Sequence, residues 1–465
     1  MTKRTATVPA NLIPHLCETV PGFNNETPAH QHALARLAWI GVNKANRHSR
    51  DPDAMSFSKK YLDEQFGCNK FPEINRRLNF FSRSAGWSKA QKETRAYWFT
   101  TELREAIRSY LDSHVKSAPV ELVMADGKKL KTVPPMVESK DKCGVTTTAW
   151  PKTTALNMVP VDCEELKKLR AELARDLEAY RVEMAAEGKS PSPNAAEIDR
   201  CVDTIGKVLI LANTEVAGAG VMVHHYQEAE SGRIYPTGGI SLASVPGLVK
   251  DAALCGYWEY DISNCHFSLV AQMAAKYGQR CSAIEHYLSN KESVREMIAH
   301  EAGIRIDQVK TCLLALLYGA RASTWHKAAI VEEIGREAAE RLIKVELFGA
   351  LARDVGLARR VVLANSDRTE RGWLKNAFGK RIALTATAAQ QFAHLLQGVE
   401  AKALQSVIKS EPENIILAQH DGFVSKERLD IRALEAEVRE QTGYELRWEE
   451  QRLMPDPARY FAARW

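Results

Sequence analysis

The chain has 465 residues, 45% hydrophobic and 26% charged, with a formal net charge of +5, an ordinary globular composition. No apolar run approaches the ~18–20 residues that cross a membrane. The opening MTKRTATVPANLIPHL has no apolar core like that of a secretory signal, and a cytoplasmic protein with no membrane partner is expected.

The length is too great for one compact core, and two or three domains are expected. Nine scattered cysteines, an odd number with no C-x-x-C, favour reduced thiols over a zinc module or disulfide framework. Charge is uneven. Residues 1–120 carry 18 Lys and Arg against 11 Asp and Glu, or +7, and the remainder sums to −2. A basic front end fits a polyanion such as nucleic acid, or is simply a solvated basic surface.

Residues 57–111 read as helix, turn and helix through INRRL, then two short strands (GWSKA and RAYWFT) about a Lys-rich loop, then a helix from Thr101. That order suits either a winged helix, with Arg76 and Arg77 toward DNA, or a plain helical domain with a hairpin. Residues 119–160 are rich in Pro, Thr and Lys and read as a linker or irregular wrap. Leu166, Leu169, Leu173, Leu177 and Tyr180 recur at spacings of three and four, which predicts one long helix over 162–188. The expected organisation is a basic domain at 1–118, the linker, a helical region at 161–220, and a core at 221–465.

Three stretches in that core carry candidate chemistry. In GYWEYDISNCHFSLVAQMAAKYG (256–278), Asp261 ends a strand and a helix follows. A strand-end carboxylate is a helix cap or a ligand for a hard cation. In QVKTCLLALLYGAR (308–321), Lys310, Leu314 and Tyr318 share one helical face, and Gly319 ends it. That face suits a triphosphate, a base and a sugar, or is a core helix with a snorkelling lysine. In NIILAQHDGFVSKE (414–427), His420 and Asp421 interrupt an apolar hairpin. A buried charge there needs a partner or a metal.

In this order the three resemble motifs A, B and C of the family that joins DNA polymerase I-type enzymes to single-subunit phage and mitochondrial RNA polymerases. The Lys-x7-Tyr-Gly spacing is similar to the fingers helix of that family. SGRIYP (231–236) resembles a GRxYP stretch upstream of motif A in the RNA enzymes, and FGKRIALTATAAQQFAHLLQGVEAKAL (378–404) resembles the segment before motif C in DNA polymerase I.

The resemblance spans about residues 220–430 and implies an α+β, helix-rich right hand of palm, fingers and thumb with a small antiparallel palm sheet, with palm and fingers in 221–465 and 161–220 as a thumb-like helical region. It implies that Asp261 and Asp421 bind two Mg²⁺ ions, with Mn²⁺ able to substitute, and that Lys310 meets the incoming triphosphate. Leu314, Tyr318 and Gly319 would line the nucleotide site. His420 and Gln397 would support the motif C turn and the primer end, and Arg233 and Tyr235 would contact the nucleic-acid backbone.

Three departures stand out. The family's arginine four residues before the motif B lysine is Ile306 here, so that either Arg305 or Arg321 takes over the phosphate or nucleotide affinity is weak. The acid that follows His-Asp in DNA polymerase I-type enzymes is Gly422 here. The glutamate that excludes a ribose 2′-OH in those enzymes is His266 here, and His394 stands where the RNA enzymes use a histidine with the motif B tyrosine. The expected activity is DNA-templated nucleotidyl transfer in phage or mobile-element replication, leaning toward RNA synthesis and priming. DNA polymerase and reverse transcriptase are the rivals within the class, and an inactive polymerase-like nucleic-acid-binding protein is the rival outside it. Expected partners are template DNA, nucleoside triphosphates and a helicase or other replication protein.

Overall fold

A computed structural model describes residues 7–41, 55–57, 59–83, 96–114, 122–124, 150–151, 153–187, 193–212, 220–237, 240–369 and 372–461. The protein is helix-rich, and every strand pairing among these residues is antiparallel, an α+β fold. Among them no helix is long and apolar enough to cross a membrane, and the eight described cysteines are all free.

The front of the chain runs helix Pro28–Gly41, strand Met55–Ser56, helices Lys59–Phe66 and Phe71–Leu78, then strands Phe81–Arg83 and Ala96–Phe99. The last strand lies in the middle of the three-stranded sheet. Its partner on one side is the strand Phe81–Arg83, which the sequence reading did not include. The expected strand GWSKA and its Lys-rich loop lie outside the described residues. Asn75 closes the helix-to-strand corner by exchanging side-chain hydrogen bonds with the backbone of Phe81 at 2.7 and 2.8 Å. The helix Thr101–His114 starts where the sequence places it.

The predicted long helix is Cys163–Ala186, and Leu166, Leu169, Leu173, Leu177 and Tyr180 are its buried residues. Asp162 caps it by accepting a hydrogen bond from the Glu165 N–H at 2.9 Å. It packs against the helix Pro193–Ala212. These two helices and the front of the chain share one apolar core, which continues to Leu254 and touches Ile416, Leu417 and Val424 of the central sheet.

That central sheet has the strand order Ile415–Ala418, Gly422–Ser425, Trp258–Ile262, Trp448–Arg452. Its residues divide between two cores. Ile416, Leu417 and Val424 face the first, while Ile415, Phe423, Tyr260 and Ile262 enter a second one. A sheet covered on both sides explains why the strand Ile415–Ala418 is apolar throughout instead of alternating. The second core holds the helices Cys265–Ala275, Ile306–Leu317, Glu346–Asn365 and Ala388–Ser410.

Lys207 ties the front of the chain to the helix pair. It is fully buried, and its ammonium donates to the Trp39 carbonyl at 2.8 Å. Burial lowers its pKa to about 7. Between about 7 and the ordinary ~10.4, the unfolded chain holds a proton that the folded chain does not, so stability rises with pH across that window. Relative to Lys207→Met, we expect the wild type to gain stability as pH rises from about 7 to about 10 in urea unfolding. A constant difference would mean that the buried ammonium keeps its charge.

Candidate active site

The strand Trp258–Ile262 pairs with the strand Gly422–Ser425 so that Asp261 lies opposite Gly422. The Ile262 N–H donates to the Asp421 carbonyl at 2.9 Å. Two aspartates far apart in sequence thus meet at one end of the sheet. Asp261 is exposed and Asp421 half-buried. Asp261 is pushed well above the ordinary carboxylate range, first by the mass of protein around it despite its open surface, then by the Asp421 charge. Asp421 is also raised, by burial and then by Glu400. Neither aspartate forms an ion pair among the described residues. Two carboxylates that disfavour each other's ionisation suit a hard divalent cation, which would relieve both.

Gly422 makes this approach possible. A Cβ there would lie 2.5 Å from the Tyr260 carbonyl oxygen and 3.1 Å from Asp261 Oδ1. An acid at this position therefore has no room, which gives a physical reason for the departure from the DNA polymerase I pattern. Glu449 faces Asp261 from the other side in the sheet register. It is held by Lys291, and it accepts the Ser263 hydroxyl at 2.6 Å. Burial opposes its ionisation, but the lysine keeps its pKa below the usual value.

The predicted stripe on Ile306–Leu317 forms. Lys310, Leu314 and Tyr318 are exposed along one face, while Val309, Leu313, Leu316 and Leu317 are buried on the other. Lys310 is close enough to Asp261 to oppose the rise in its pKa. Gly319 ends the helix at φ +96°, and a Cβ there would lie 2.4 Å from the Ala389 Cβ. Arg305 is bound to Asp307, its side chain reaching both carboxylate oxygens at 3.0 and 2.9 Å. Arg321 is exposed beyond Gly319 and forms no ion pair among the described residues.

The tyrosine of the stripe leads into a buried polar network. The Tyr318 hydroxyl lies 2.9 Å from His266 Nδ1. His266 Nε2 lies 2.6 Å from Glu400 Oε2, and Arg233 pairs with the same oxygen. Burial opposes the Arg233 charge, but Glu400 holds it firmly protonated. Cys265, His266 and Glu400 bring ligand atoms within 4.8 Å of one another. An ion there would face the Arg233 guanidinium already seated on that carboxylate, so we assign the cluster to the ion pair.

Several expectations change. Arg233 was expected on the nucleic-acid backbone; it is 8% exposed and paired with Glu400. His394 was expected beside the motif B tyrosine. It is buried, bonds the Lys380 carbonyl at 3.2 Å, and is kept neutral by burial. His266 takes the place beside Tyr318. His420 and Tyr235 meet as a tilted ring pair, with centroids 4.7 Å apart and planes at 59°. Gln397 is half-buried, one helical turn before Glu400. Arg76 is exposed, whereas Arg77 is engaged by Glu26.

Glu400 was missed in the sequence. A signal existed: Leu396, Glu400, Ala403 and Val407 form one core-facing row, and the acid breaks it. No protein-family model matches the chain, and no curated protein matches it.

We expect Gly422→Ala to cost about 1–3 kcal/mol in urea unfolding, because the added methyl meets backbone that cannot yield. An unchanged midpoint would mean that the two strands are not so closely paired.

Proposed function

We propose that the protein is a template-directed nucleotidyltransferase that joins nucleotides on a DNA template with two divalent metal ions. The observation that carries this reading is the convergence of Asp261 and Asp421 across the strand pair, with Lys310 near Asp261. Asp261 and Asp421 would hold Mg²⁺ or Mn²⁺, and the ions would lower the pKa of the attacking 3′-hydroxyl and stabilise the leaving pyrophosphate.

The other roles belong to the chain's own side chains. Lys310 neutralises the triphosphate, with Arg321 as the second cation. Leu314 packs on the base, and Tyr318 packs on the sugar. Gly319 lets helix and substrate approach, and the His420–Tyr235 ring pair lies beside the turn that carries Asp421. Arg305, tied to Asp307, takes no part. Asp261 and Asp421 form the centre of a palm, and the helix Ile306–Leu317 serves as fingers.

Use of ribonucleotides, including strand initiation, is favoured by a histidine instead of a glutamate beside Tyr318. The helix–strand–helix–helix–strand–strand order of the front region supports a winged helix, with the exposed Arg76 toward DNA. Replication in a phage or mobile element, with a helicase as a partner, fits such a compact enzyme.

The test is incorporation of labelled NTPs and dNTPs on primed and unprimed single-stranded DNA. We expect synthesis by the wild type, and loss of at least about a thousandfold in Asp261→Ala and in Asp421→Ala, with DNA affinity within about twofold. Undiminished synthesis by both variants would contradict the assignment. Synthesis only from a primer with dNTPs would point to a DNA polymerase or reverse transcriptase, and DNA binding without synthesis to an inactive relative.

A further inference from the structure

We propose that Glu400 is a sugar-selecting residue that acts at one remove, through His266, on Tyr318; this rests on the nucleotidyl-transfer reading above. The residue is fully buried in a helix face that otherwise carries apolar and small side chains. A buried carboxylate is normally satisfied on both oxygens. Here Oε1 has no hydrogen-bond partner, while Oε2 takes both Arg233 and His266. Such an arrangement strains stability and calls for a reason beyond packing.

The reason lies in the polarity of the chain of contacts. His266 Nε2 lies 2.6 Å from the carboxylate oxygen and 3.1 Å from the Arg233 guanidinium, which only donates; the shorter contact, to an acceptor, places the imidazole proton on Nε2. Nδ1 is then an acceptor, and the Tyr318 hydroxyl donates to it across 2.9 Å. The tyrosine's only proton is therefore committed inward. What its oxygen still offers is lone-pair density. A ribose 2′-hydroxyl can donate to that lone pair, and a 2′-deoxy carbon cannot.

The position fits the task. Tyr318 is 41% exposed and closes the stripe of Lys310 and Leu314. A nucleotide whose triphosphate lies at Lys310 and whose base lies on Leu314 puts its sugar at the ring. Glu400 touches no substrate in this arrangement. It positions Tyr318 by fixing the histidine tautomer, and so determines which face of a hydrogen bond the tyrosine shows.

Single-nucleotide incorporation on a primed DNA template tests this, with kcat and KM measured for one NTP and its matching dNTP. We expect the wild type to prefer the NTP. Glu400→Gln should lower the NTP/dNTP ratio of kcat/KM about tenfold, the worth of one hydrogen bond to a hydroxyl. The loss should appear in the KM for the NTP. Should Glu400→Gln fail to fold, as judged by melting, Tyr318→Phe alters an exposed side chain and should lower the same ratio. An unchanged ratio, or an equal loss with both sugars, overturns the proposal. A wild type that incorporates neither sugar overturns the nucleotidyl-transfer reading itself, and this proposal with it.

Discussion

The antiparallel pairing of Trp258–Ile262 with Gly422–Ser425 is the constraint on which the rest depends. It places two acids at one end of a sheet that both cores hold rigid. Neighbouring like charges are unfavourable, and the apolar strands on either side do nothing to neutralise them. Rigid apolar burial is what fixes the acids in place against that repulsion. Tyr260 and Phe423 stack with centroids 5.0 Å apart beneath them, and Gly422 lets the backbones close. A softer mount would let the carboxylates part.

Around this pair the charged groups fall into two kinds. Lys310 and Arg321 stand exposed and without ion pairs among the described residues, so they are available to an anionic substrate. Arg233 and Glu400 are buried and bound to each other, so their charge acts only on neighbouring groups. Through His266 and Tyr318 this inner pair reaches the exposed stripe. An open cation is suited to binding, and a closed ion pair is suited to orienting.

Much of this was legible in the sequence where the signal is local. The period of three and four in residues 163–186 gives the helix and its buried face, because a helix reports its own periodicity. The spacing of Lys310, Leu314 and Tyr318 gives the exposed stripe for the same reason. Tertiary pairing is what stayed hidden. Arg233 looks like any basic contact residue until Glu400 arrives from a helix far along the chain. His394 and His266 are both histidines on helices, and only packing decides which meets Tyr318. Gly422 read as a lost acid, whereas the strand pair shows a position with no space for a side chain.

The most direct test of a metal-binding aspartate pair is a Mn²⁺ titration of the full chain followed by electron paramagnetic resonance, without substrate. The account predicts about two bound ions per wild-type chain, and loss of at least one of them in Asp261→Asn and in Asp421→Asn. Equal Mn²⁺ binding by the wild type and both variants would contradict it.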